Sequence, residues 1–113
     1  MVSREFLNLV LVIDQQNAKM QVEEVIKNCK SFKIGKTGQD LNERFHGGYA
    51  DMYKGIKQII SSSDPEKVSD IEAYLINSYK NDNRCDNEKD GSSSIYDDMK
   101  EGAQKYYVYI VWR

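Results

Sequence analysis

An α+β domain is what this chain predicts, with a small mixed or antiparallel sheet of three to four strands flanked by helices. Short β-branched and aromatic runs at 31–34, 56–60 and 105–113 alternate with amphipathic segments of helical period at 18–30 and 65–80. Glycine, serine and asparagine clusters separate them as turns. A length of 113 residues supplies one core and one domain, spanning 1–113.

In chain order, Glu5 to Asp14 carries Leu7, Leu9, Val10, Leu11, Val12 and Ile13, bounded by Asp-Gln-Gln-Asn. A short apolar run of that kind is expected to be a strand covered on both faces, central in its sheet. Asn17 then caps a helix over about 18–30, with Val22, Val25, Ile26 and Cys29 on one face. Phe32 and Ile34 point to one side of the next strand and Lys33 to the other. Gly35 and Gly38 bracket Lys36-Thr37 in a turn, and a helix over 40–46 ends at Gly47-Gly48. Ile56, Ile59 and Ile60 mark a strand, Asp64-Pro65 opens a helix to about Lys80, and 81–104 is a long polar loop. Tyr106 to Trp112 is the strongest strand signal in the chain.

Net charge is −2, so attraction of the whole molecule to nucleic acid is not expected. The distribution is uneven: residues 30–57 hold six bases against three acids, and 58–104 hold eleven acids against five bases. The basic region contains the glycine turn and Arg44 and can face phosphate. Two distant cysteines and one histidine do not define a zinc site, so Cys29 and Cys85 read as reduced thiols of a cytoplasmic protein. The run from Phe6 to Ile13 is too short to span a bilayer, and no membrane segment or signal peptide is expected.

Three groups invite chemistry. Gly35-Lys36-Thr37 has the ending of a phosphate-binding P-loop, but Lys30 stands where its first glycine is required, which excludes that loop. Glu72 lies on the apolar stripe of its helix, between Val68 and Leu75. A carboxylate there either reaches solvent along its stem or binds Mg²⁺ in a wet cleft. Arg44 just past the turn either steadies a phosphate or pairs with Asp40 at the surface.

Phe32-Lys33-Ile34-Gly35-Lys36-Thr37, then Leu41 to Arg44, an isoleucine-rich strand, and Ile71-Glu72-Ala73-Tyr74-Leu75 occur in that order. Together they resemble the GIY-YIG endonuclease superfamily, over roughly residues 31–87, and most nearly a phage-associated branch whose second motif reads Lys-Ile-Gly-Lys-Thr. The resemblance implies a GIY-YIG-like fold and metal-dependent hydrolysis of DNA phosphodiesters. It assigns the motif glycine to Gly35, with Lys36 and Thr37 beside it at the substrate, and the arginine to Arg44. The metal-binding glutamate falls on Glu72, with Mg²⁺ or Mn²⁺, and the late asparagine on Asn87, for which Asn81 and Asn83 compete. His46 or Tyr49 fills the auxiliary place on the arginine helix. In this chemistry the ion polarises the phosphate, the arginine steadies charge and a tyrosine helps activate water.

The chain departs from the pattern at both tyrosines. Phe6 to Ile13 offers none, and Lys33 occupies the second place, as a base or a phosphate contact. The last strand, with Tyr107 and Tyr109, can supply the phenol if it lies beside the turn, like a family first strand placed last. The alternatives are a catalytically degenerate domain that binds DNA or a protein partner, and a structural domain.

Overall fold

A computed structural model describes residues 3–87 and 103–113; most of the expected polar loop, 88–102, lies outside them. The elements are α1 (Arg4–Ile26), β1 (Phe32–Thr37), α2 (Leu41–His46), β2 (Gly55–Ser62), α3 (Pro65–Tyr79) and β3 (Tyr106–Trp112). The architecture is α+β, with a three-stranded antiparallel sheet of order β1-β3-β2.

The first element differs from the expectation. Residues 5–14 are not a strand but the first half of one helix that runs on through Asn17. Ser3 caps it, its hydroxyl accepting the Phe6 N–H at 3.1 Å. Leucine is a strong helix former, and no glycine or proline occurs before Gly35, so nothing breaks the helix at Asp14. Asp14 is tolerated inside it because its carboxylate meets Lys67 of α3 at 2.8 Å. The strand taken for the centre of the sheet is therefore absent, and the last strand, β3, takes the centre.

Alternation along the strands divides the core in two. On one face Phe32 and Ile34 of β1 and Val108 and Ile110 of β3 pack with Val22 and Ile26 of α1 and Val68, Ile71 and Leu75 of α3. On the other, Tyr109 and Val111 pack with Tyr49, Tyr53, Leu41 and Phe45. Two helices thus cover one side, and α2 with the turns after it covers the other. Asp64 caps α3, accepting the Glu66 N–H, with Pro65 at the first position as its sequence predicts.

β1 continues through Gly35 to Thr37, so Gly35 is a mid-strand residue and not part of a turn. The register sets Gly35 opposite Tyr109 and Thr37 opposite Tyr107. β1 is an edge strand of the ladder. Its outer side is met by residues 84–87: the Phe32 N–H donates to the Arg84 carbonyl at 2.9 Å and the Asp86 N–H to the Phe32 carbonyl at 2.7 Å. Arg84 anchors that segment, gripping Asp82 with Nε and Nη2 and donating from Nη1 to the Ile26 carbonyl at 2.7 Å.

Candidate active site

Gly35 is where the site begins. A Cβ built there would lie 2.7 Å from Cε2 of Tyr109 and closer still to the phenol end of that ring. Only glycine lets the tyrosine lie flat against β1. Tyr109 is 1 % exposed. Its hydroxyl oxygen accepts from Arg44 Nε at 3.2 Å and is 2.8 Å from the Tyr49 hydroxyl, either of which can donate to the other. The Tyr49 and Tyr109 rings meet edge to face at 5.8 Å.

The arginine is delivered by a six-residue helix. Asp40 caps it, accepting the Asn42 and Glu43 N–H groups at 2.9 and 3.2 Å. Leu41 and Phe45 bury against the second core cluster, which turns Arg44 towards the sheet. Gly47 ends the helix, and Tyr49 and Tyr53 fold back under it as buried residues.

Two cations converge on the Tyr49 ring: the Arg44 guanidinium at 5.4 Å and the Lys33 ammonium at 5.7 Å. Burial, then the neighbouring Tyr49, pushes the Tyr109 phenol well above its ordinary range, with Arg44 opposing. By accepting from Nε, the Tyr109 hydroxyl orients the Arg44 guanidinium. Gly35→Ala is expected to cost about 1–3 kcal/mol by overpacking against that ring, with Tyr109→Leu in the same chain recovering part of it. Urea denaturation of the two variants measures this, and additive effects would mean that the ring lies elsewhere.

Lys36 and Thr37 are not at the surface. Lys36 is 2 % exposed and Thr37 fully buried, its hydroxyl accepting the Gln39 N–H at 3.0 Å. Lys36 shares a strand face with Phe32 and Ile34, and its ammonium lies 3.5 Å from Oε1 of Glu72, itself buried on α3. The snorkelling reading of Glu72 does not hold, because its carboxylate is buried beside the Lys36 ammonium.

Asn87 reaches β1 one residue before the glycine. Its Oδ1 accepts the Ile34 N–H at 2.9 Å and its Nδ2 donates to the Ile34 carbonyl at 2.8 Å, so the side chain extends the ladder like a short strand. Asn81 and Asn83, its competitors, are exposed. Asp86 beside it accepts from the Tyr53 hydroxyl at 2.8 Å.

Three consecutive residues of β1 thus carry the expected partners: Ile34 holds Asn87, Gly35 faces the Tyr109–Arg44 pair, and Lys36 holds Glu72. The groups lie close along one strand, Arg44 held on Tyr109 and Glu72 on Lys36. His46 is exposed and edge-on to Phe45 at 5.5 Å. Of the two phenols that the last strand offered, Tyr109 meets the arginine, and Tyr107 sits two positions along, opposite Thr37.

For a metal ion, Glu72 supplies one hard carboxylate oxygen donor of the kind that Mg²⁺ and Mn²⁺ accept, and an ion would take it in competition with the Lys36 ammonium. Among the described residues no three of His, Cys, Asp and Glu are grouped to hold an ion. Compared with family models, with curated proteins and with solved structures, the chain matches none.

Proposed function

We propose that this chain is a divergent GIY-YIG-type nuclease domain that hydrolyses DNA phosphodiester bonds with Mg²⁺ or Mn²⁺. One observation carries the reading. The phenol missing from the first half of the motif pattern is present as Tyr109, pressed on the motif glycine Gly35 and hydrogen-bonded to the motif arginine Arg44. β3 then stands as the family's first strand moved to the end of the domain.

In this reading Arg44, held by Tyr109 and Tyr49, meets a phosphate oxygen and stabilises charge as the bond breaks. Lys33 on the same tyrosine ring adds a second cation for the backbone. Glu72 would hold the ion, which when bound polarises the phosphate and favours the leaving oxygen. Asn87 keeps the outer side of β1 in register with the residues before Gly35.

Nicking of supercoiled plasmid in Mg²⁺ or Mn²⁺ tests the proposal. Arg44→Ala is expected to slow it by about 10²–10³-fold. The paired replacement Lys36→Met/Glu72→Leu removes the carboxylate while leaving the buried volume apolar and the fold intact, and should abolish nicking. Wild-type rates in both variants, with unchanged circular dichroism, would trace the cleavage to a contaminant. The buried Lys36–Glu72 pair favours a second reading, DNA binding without cleavage. That reading predicts affinity falling steeply with salt, indifferent to EDTA, and no nicking under any ion. Salt-tolerant binding to another protein, with indifference to DNA, would point to the protein-partner alternative.

A further inference from the structure

α1 presents two faces. Ala18, Val22 and Ile26 lie in the core, with Leu11 half-buried on the same side. Diametrically opposite run Phe6, Leu9, Ile13, Gln16 and Met20, spaced by three, four, three and four residues, which is the seam of a helix that packs along another helix. All five are exposed, the apolar four by 54, 56, 46 and 68 %. Val12 flanks the seam and is also exposed.

We propose that this seam is a homodimer interface, in which α1 of one chain packs along α1 of a second copy. The occupant follows from chemistry and area. The spacing demands a helix. The seam carries no charge, so identical copies meet without repulsion. One polar residue, Gln16, sits among the four apolar ones, the arrangement that fixes register in paired helices. The five exposed apolar side chains of the seam and its flank offer about 500 Å² per copy, and two copies reach the roughly 1,000 Å² that a specific interface has to clear. A lipid surface fits less well, because a helix lying on a membrane needs a basic polar face and α1 holds two bases, Arg4 and Lys19, against four acids, Glu5, Asp14, Glu23 and Glu24. The interface is independent of the nuclease reading.

Sedimentation equilibrium of the full chain is expected to give a dimer at about 100 µM. Leu9→Glu/Ile13→Glu should weaken association by at least about 100-fold, with circular dichroism unchanged because both side chains are outside the core. Gln16→Leu should tighten it. A wild-type monomer overturns the proposal, whether or not it binds vesicles of anionic phospholipid or the helix of another protein. So does a dimer that survives the double replacement.

Discussion

Glu72→Ala is expected to destabilise the fold by about 3–5 kcal/mol, a large share of the roughly 5–15 kcal/mol that holds a domain of this size. The Lys36 ammonium is 2 % exposed and has the Glu72 carboxylate at 3.5 Å. Deleting the acid takes away a charged partner of an ammonium that is itself buried. Lys36→Met/Glu72→Leu removes both charges together and should be near neutral, or stabilising by up to about 4 kcal/mol. The pattern to look for in urea denaturation is a damaging single change and a harmless double one. A loss below about 1 kcal/mol for Glu72→Ala would put the carboxylate in water. The contrast also governs the nuclease assay, since inactivity of Glu72→Ala alone would confuse lost chemistry with lost structure.

Raising the pH above 10 is expected to unfold the protein steeply. Burial pushes three phenols above the ordinary value of 10.0: Tyr109 with Tyr49 against it, Tyr53 through its bond to Asp86, and Tyr79 through its bond to Glu23. Below pH 10 folded and unfolded chains both keep these protons, and the three phenols add no pH dependence. Above it the unfolded chain releases protons that the folded chain retains, so stability falls as pH rises. Each such group contributes about 1.4 kcal/mol per pH unit, and three approach about 4 kcal/mol per unit. Denaturation midpoints between pH 9 and 11 measure the slope, and Tyr53→Phe and Tyr79→Phe should each reduce it by about a third. A flat profile would mean that these hydroxyls reach solvent in the folded protein.

Much of this fold is legible from local pattern. The strands at β1 and β3, the capped helix after Asp64 and the short helix bearing Arg44 all follow from alternation, caps and turn residues. The failure at 5–14 has a definite cause. A run of leucine, valine and isoleucine suits a buried strand and a helix equally, and Asp14 to Asn17 imitates a boundary although the Asp14 carboxylate lies beside the Lys67 ammonium across the helix pair. The ion pair under β1 had a readable signal. Lys36 is two residues from Ile34 and four from Phe32, so it shares their inward face, and Glu72 lies on the inward stripe of its helix. Opposite charges on two buried faces imply each other. The meeting of Tyr109 with Gly35 was open to expectation only as one of two rescues, beside Lys33, because strand order is a long-range choice that no local window contains.

The position of β3 between its neighbours also bears on how the chain assembles. β1 and β2 do not pair with each other, so both must wait for the strand that a ribosome delivers after them. Until Tyr106 to Trp112 emerges, β2 has no partner strand and β1 has only the short segment 84–87, and the pairings that close the sheet join residues far apart in the chain. A nascent chain stopped before Tyr106 should be helical and readily degraded by proteases, and release of the final strand should convert it to a protected domain in one step.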